Sequence, residues 1–369
     1  MIRKRSKLRA GDWVEIRNKE EILGTLDENG TLDGMPFMPE MFAFVGQRFQ
    51  VYKRAHKTCD TVFPVRGRRV HRAVHLETRC SGQAHDGCQA GCLIFWKEAW
   101  LKRVEGQERA SVISIPASVD RRLAMKAQCT EEAVFARTKA KAPDGGTLYS
   151  CQATQLPYAT TDLKRWDIRQ YIEDYRSGNV SLWRIFCGAI YMACFALTRA
   201  GIGLGRPLRW LYDNFHFLWS GTPFPRRTGI IPQGQETPSD TLNLQPGELV
   251  RIKSYTQILS TLNTKNRNRG LYFDAEEVPY CGKEYRVLRR VERIINEKTR
   301  RMLEMKTACV ILDSVVCQSR FSECRMFCPR SIYSYWREIW LERVTPNTSV
   351  LPAQDAQLVE QSNGATSCK

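Results

Sequence analysis

The sequence carries none of the compact signatures of the common enzyme classes. It has no GxxxxGK[ST] loop, no HExxH and no GxSxG. A P-loop nucleotide hydrolase, a zincin protease and an α/β-hydrolase therefore lose their usual support. The glycines of Ala200–Gly205 (AGIGLG) are not spaced as a dinucleotide fingerprint and follow a helix-like segment rather than a strand. Long apolar runs are lacking too. The stretch Ile185–Thr198 has 14 uncharged residues, short of the ~20 that cross a bilayer comfortably. The start, MIRKRSKLRAGDWVEI, is basic but lacks the apolar core of a secretion signal. The expectation is a reducing, cytoplasmic compartment.

What is present is a chain of 369 residues with globular composition, 43% hydrophobic and 26% charged, which allows two or three domains with cores of their own. The net charge of +17 favours anionic partners: nucleic acid, an acidic protein or a lipid surface. Against this stands the plainer reading that the charge, spread along the chain, only keeps it soluble.

The dominant feature is an internal repeat. Leu8–Ala55 matches Leu244–Val291 without a gap at an offset of 236. Gly11, Val14, Ile16, Ile22, Leu26 and Glu40 return as Gly247, Val250, Ile252, Ile258, Leu262 and Glu276. Further on, Trp96, Glu98, Trp100 and Leu101 return at offset 240 as Trp336, Glu338, Trp340 and Leu341. Each copy predicts a glycine-led strand, a short helical segment, a polar loop and a second alternating strand, Gly46–Ala55 or Gly282–Val291. The fold expected is α+β and mostly β: two small, strongly bent antiparallel sheets or barrels. The opening GDWVEI resembles the first strand of SH3-like barrels of the KOW and nitrile-hydratase β-subunit types. The whole pattern, GDWV…KEEIL…CQAGCLIFWKEAWL and its second copy, resembles a family of uncharacterised bacterial proteins with duplicated SH3-like, cysteine-containing modules. That resemblance implies no activity. The division expected is a first module over 1–105, a connector over 106–243, a second module over 244–345 and a disordered tail over 346–369.

Fourteen cysteines in a reducing compartment point to metal or catalysis before disulfides. Cys309, Cys317, Cys324 and Cys328 could form a closed zinc shell, which in a four-thiolate site is structural because no position is left for water. In the first copy Cys80, Cys88 and Cys92 align with Cys317, Cys324 and Cys328, and nothing aligns with Cys309. The fourth ligand could be Cys59, His75 or His85, with Cys59 preferred, or a water in a reactive three-thiolate site. About two zinc ions per chain are expected. Cys129 and Cys151 could form a third site or join the first, although buried thiols are the plainer reading. Cys187 and Cys194 read as core, Cys281 as a structural thiol, and Cys368 lies in the tail.

The basic strands place Lys53, Arg54, Arg286, Arg289, Arg290 and Arg293 at corresponding sites, with an Arg-rich loop at Val65–Arg72. Lys and Arg beside aromatics suit phosphate contact and base stacking, yet no base-reading element is recognisable. The alternative is a solvated sheet face.

In the connector, Ser118–Arg137 has helical character, Lys141–Leu156 reads as a turn and a short strand, and Phe224–Asn243 as a linker. Arg165–Gly178 reads as a helix with Ile168, Tyr171 and Ile172 on its packed face and with Asp167, Glu173 and Asp174 on a salt-bridged face. Val180–Leu197 reads as a buried helix joining the modules or as an interfacial helix whose neighbours Arg184, Arg199, Arg206 and Arg209 reach anionic headgroups. The function expected is a zinc-stabilised binding or scaffold protein with basic faces for an anionic macromolecule. The alternatives are an enzyme or accessory subunit using the first cysteine cluster, and a peripheral membrane protein.

Overall fold

Val14 and Ile16 alternate with Trp13 and Glu15, so a strand here presents its two aliphatic side chains to one face. The structure, a computed structural model, describes residues 7–63, 66–104, 129–200 and 203–344. In it Trp13–Ile16 is a strand with Val14 and Ile16 fully buried. It forms the fourth strand of a five-stranded antiparallel half-barrel in the order Leu93–Lys97, Ala73–Arg79, Arg48–Arg54, Trp13–Ile16, Leu101–Arg103.

The second copy builds the same sheet: Tyr333–Arg337, Cys309–Val316, Glu284–Arg290, Leu249–Ile252, Leu341–Arg343. Its registers are equivalent. Val14 faces Phe49 and Arg103, and Val250 faces Tyr285 and Arg343. The bulge falls between Val51 and Lys53 in one copy and between Val287 and Arg289 in the other. The internal repeat is thus a repeat of tertiary structure.

Each half-barrel closes on a pair of buried tryptophans, Trp96 and Trp100 or Trp336 and Trp340, which stand edge-on to Phe37 or Phe273. A buried indole N–H needs an acceptor. Trp100 finds the Thr25 hydroxyl and Trp340 the Thr261 hydroxyl, each at 3.0 Å. Those threonines sit just after the short helices Lys19–Leu23 and Tyr255–Ser260. Both helices start with a capping box, Asn18 with Glu21 and Ser254 with Gln257. A guanidinium ties each copy's entry segment to its last turn. Arg54 bonds the Leu8 carbonyl and Glu98, and Arg290 bonds the Leu244 carbonyl and Glu338.

The connector departs from expectation in several places. Of Ser118–Arg137, residues 118–128 lie outside the described residues, and Glu131–Ala136 is a helix capped by Thr130. Thr147–Tyr149 is a strand, but Gln152–Ala159 is a helix begun by Cys151. The Arg-rich segment is a strand from Gly67 to Val70, paired with Lys57–Cys59 and Thr160–Leu163. Helix Arg169–Arg176 buries Gln170 and Asp174, while Ile168 and Ile172 are exposed. The reversal follows from charge. The buried Lys57 ammonium lies 2.6 Å from Asp174, and His56 lies 3.2 Å from its other oxygen. Leaving a buried charge unpaired costs more than leaving two isoleucines exposed. Glu173 and Asp167 are salt-bridged as expected, to Arg54 and Arg169.

Replacing Trp340 by alanine removes a core-filling side chain and the Thr261 contact, with an expected loss of about 3–5 kcal/mol. Trp340→Phe, which keeps most of the volume, should lose clearly less. Urea midpoints of the two variants check this ordering.

Candidate functional site

Each cysteine loop follows the second strand in the order of its sheet, Ala73–Arg79 or Cys309–Val316, and folds back over a carboxylate. In the first copy Glu40 accepts the Ala84 N–H at 3.2 Å and pairs with His85 Nδ1 at 2.8 Å. In the second copy the equivalent Glu276 accepts the N–H groups of Arg320 and Phe321 at 2.8 and 2.6 Å. Burial pushes the Glu276 carboxyl up to about 7. Phe321 stands where the first copy has His85, so the same loop is held once by an ion pair and once by two backbone N–H groups and the Ser322 hydroxyl.

The two loops are not completed within their own copies. The N–H of Cys59, at the end of strand Lys57–Cys59, donates to Cys328 Sγ of the second copy at 3.1 Å. Position 295 is the repeat equivalent of 59. The N–H of Ile295, at the end of strand Arg293–Ile295, donates to Cys88 Sγ of the first copy at 3.3 Å. Gln89 adds bonds to the Arg293 carbonyl and N–H, both at 3.0 Å. Equivalent strand ends therefore donate to cysteines of the opposite loop, but not to equivalent ones, since Cys328 corresponds to Cys92 and Cys88 to Cys324.

A four-residue insertion, Pro329–Ile332, accounts for the step in offset from 236 to 240. It carries Arg330, which is buried, bonded to Glu297 at 2.7 Å and 3.9 Å from Cys59 Sγ. A hydrogen bond with the Cys328 thiol, together with the nearby Arg330 guanidinium, lowers the Cys59 pKa, while burial and that same hydrogen bond push the Cys328 thiol well up.

The predicted ligand sets are divided by this packing. Cys317, whose Sγ is 3.4 Å from the Ser319 hydroxyl, stays near Cys328. Cys309 begins the strand Cys309–Val316 that Cys317 follows, so it lies roughly 25 Å away along the chain direction. The Cys324 carbonyl abuts Gly67. Cys59 joins Cys328 rather than its own copy's set. Cys80, Cys88 and Cys92 share a cavity wall with Cys151. Burial pushes the Cys92 thiol up to about 12 and the Cys151 thiol up to about 11. His75 is a core residue; burial pushes it down to about 3, and Nδ1 bonds the Ile94 carbonyl at 2.8 Å. Among the described residues, the one group of three or more Cys, His, Asp or Glu ligand atoms within 4.8 Å of each other is Glu40, Cys80 and His85. His85 has no nitrogen to spare there, since Nε2 lies 3.0 Å from the Ser150 carbonyl. Cys129 packs in the first core against Gly30.

The basic positions are also largely committed. Arg54 and Arg290 are the clamps described above, and Lys53 reaches Ser331 at 3.5 Å. Arg286 bonds the Gly247 carbonyl, Arg289 lies against Gly91, and Arg293 pairs with Glu304. Arg330, Glu297 and the Glu40/Glu276 pair escaped sequence reasoning. The insertion and the recurrence of the glutamate were the available signals.

The second cysteine loop also seats a helical hairpin, Leu182–Arg199 and Gly205–Phe215. The inner face of the first helix packs Gly188, Tyr191 and Phe195 on Phe321, Met326 and Phe327. A β-carbon at Gly188 would meet the tip of Phe327 at 2.7 Å and Met326 Sδ at 2.9 Å, so a larger residue would have to displace those side chains. Tyr191 donates to the Phe321 carbonyl at 3.1 Å. Among the described residues nothing covers the outer face. Trp183, Phe186, Trp210 and Phe217 are 58%, 54%, 66% and 66% exposed, and Leu182 and Leu197 are exposed at the two ends of the first helix. This helix was read from sequence as buried or interfacial; only 17% of it is buried. Cys187 and Cys194 are half-buried on it rather than core.

Comparison with protein-family models, with curated proteins and with solved structures gave no match for this chain.

The Glu40–His85 pair carries a pH signature. Burial opposes both charges and is the largest single effect, but their hydrogen bond, their mutual attraction and hydrogen bonds with the backbone together outweigh it, so His85 is raised above its ordinary 6.5 and Glu40 lowered below its ordinary 4.5. The His85 contribution is complete below 6.5 and is lost as pH rises through its folded value. The Glu40 contribution is complete above 4.5 and is lost as pH falls through its folded value. The stability gap between wild type and His85→Gln should therefore be widest between about pH 4.5 and 6.5 and narrow on both sides. Denaturation midpoints across pH 3–9 measure it.

Proposed function

We propose that the protein is a non-enzymatic scaffold that docks on an anionic bilayer surface through the outer face of the Leu182–Phe215 hairpin. The observation that carries this reading is an 18-residue helix, long and apolar enough for a membrane, with its aromatic outer face turned to solvent. A soluble protein rarely leaves a contiguous apolar patch of this kind uncovered. The helix lies in the interface rather than across the bilayer, because its inner face is packed on Phe321 and Phe327 and lipid cannot surround it.

Charge selects the occupant. Residues 180–219 contain Arg184, Arg199, Arg206 and Arg209 and one acid, Asp213; Arg199 is paired with Glu323 at 2.8 Å and Arg184 is half-buried, which leaves Arg206 and Arg209. Asp213 is already held by Arg227 and by the Phe224 N–H. Arg206 and Arg209 are exposed at the start of the second helix, beside the apolar face, where they can meet headgroup phosphates. Tryptophan at positions 183 and 210 suits the boundary between headgroup and acyl chain.

Purified protein should sediment with vesicles containing phosphatidylglycerol and much less with pure phosphatidylcholine. Raising salt to ~0.5 M should weaken the binding. The double variant Trp183→Ala, Phe186→Ala should weaken it at least about tenfold, since each side chain withdraws apolar area worth on the order of 1.5–3 kcal/mol when fully buried. Both positions are exposed, so the thermal midpoint should hold. Wild-type protein that ignores anionic vesicles at low salt sinks the proposal. So does concentration-dependent dimerisation that the double variant abolishes, which would give the face to a second copy.

A further inference from the structure

Four thiols, Cys80, Cys88, Cys92 and Cys151, line one cavity of about 30 Å³ at the seam between the copies. That volume admits a water-sized occupant. The loop after strand Ala73–Arg79 supplies three of the sulfurs, and the residue that begins helix Gln152–Ala159 supplies the fourth. We infer that these four sulfurs form a tetrathiolate site for one borderline-soft divalent cation of the zinc class, with Cys151 in the place that sequence alignment left open.

Three features support the assignment. First, three of the sulfurs already accept backbone N–H groups: Cys80 from Gly82, Cys88 from Ile295 and Cys151 from Thr154. N–H···S bonds of this kind orient and stabilise metal-bound thiolates. Second, the competing ligands are used elsewhere. Both nitrogens of His85 are bonded, to Glu40 and to the Ser150 carbonyl, and Cys59 is bonded to Cys328. Third, Cys80–Cys92 is a loop with one short 3-10 turn, Gln83–His85, between two strands. No three of the four sulfurs lie within 4.8 Å of one another here, so binding requires this loop to draw inward to the ~3.8 Å sulfur spacing of a tetrahedral shell with ~2.3 Å bonds. Binding breaks four S–H bonds, forms four metal–sulfur bonds and releases one proton from each thiol. The resulting shell is doubly negative. Arg330 lines the same cavity, with Glu297 as its other partner.

The test uses the full chain, reduced and stripped of metal, with cobalt(II) and then zinc(II) as probes. One equivalent of cobalt should bind, with sulfur-to-metal charge transfer in the near ultraviolet and the intense visible bands of a tetrahedral ion. Zinc should displace it. Zinc should also protect Cys80, Cys88, Cys92 and Cys151 from alkylation, as mapped by mass spectrometry on the wild-type chain. Cys151→Ser should weaken zinc binding at least tenfold, and Cys59→Ser should leave stoichiometry and spectrum unchanged. Absence of cobalt binding by the wild type overturns the inference. A Cys151→Ser protein with wild-type affinity, or protection that maps to Cys59 in place of Cys151, overturns it as well. The alkylation map needs no variant to fold, so a misfolded Cys151→Ser protein leaves the inference fully testable.

Discussion

Two of the hydrogen bonds that cross the seam, Cys59 N–H to Cys328 and Ile295 N–H to Cys88, are the constraint on which the rest of the molecule turns. A buried backbone donor must be satisfied. Each copy ends a short strand with a donor that its own sheet does not use, and each finds an acceptor in the other's cysteine loop. The loops are thereby ordered by the partner copy, and the two half-barrels become mutually necessary. Lys57, two residues before Cys59, is carried into the interior by the same docking. There it requires Asp174 and stacks over Tyr171 and Phe327. The connector helix Arg169–Arg176 is positioned by that need for a counter-charge rather than by its isoleucines.

The asymmetry between the copies follows from what has been added to a common frame. The first copy replaces a phenylalanine position with His85 and gains an ion pair with Glu40. The second copy inserts Pro329–Ile332 and gains Arg330, which enters the seam between thiols of both copies. The second loop also presents Phe321, Met326 and Phe327 as the seat of the helical hairpin. Because the seat takes only the Gly188–Tyr191–Phe195 face, the remaining apolar surface of the hairpin is left facing outward. The seam and the hairpin are therefore two uses of one structure: the loop that holds the copies together also displays the surface proposed for docking.

Much of the frame was legible in the chain. Alternation of Val14 with Ile16, the glycines that open each copy and the recurrence of both tryptophans are local or near-local signals, and the registers of the two sheets repeat as the offsets do. The hairpin helix was legible as a helix. Its exposure was not, because an apolar stretch reads alike whether it faces a core or a surface. The face of helix Arg169–Arg176 was misread for a similar reason: periodicity locates apolar residues, but the position of a buried ammonium 117 residues away decided which side turned inward.

Cysteine spacing showed where thiols cluster and that Cys80, Cys88 and Cys92 match Cys317, Cys324 and Cys328. By itself, then, the sequence determined that the protein is two copies of one β module with a cysteine loop in each, since these features rest on short-range geometry and on duplication. Which sulfur meets which was decided only by tertiary structure. The docking of one copy on the other sends Cys59 to Cys328, and the packing of the connector helix Gln152–Ala159 on the first core brings Cys151 to the first loop. Contacts between segments more than a hundred residues apart depend on how two folded surfaces fit, and no spacing along the chain records that fit.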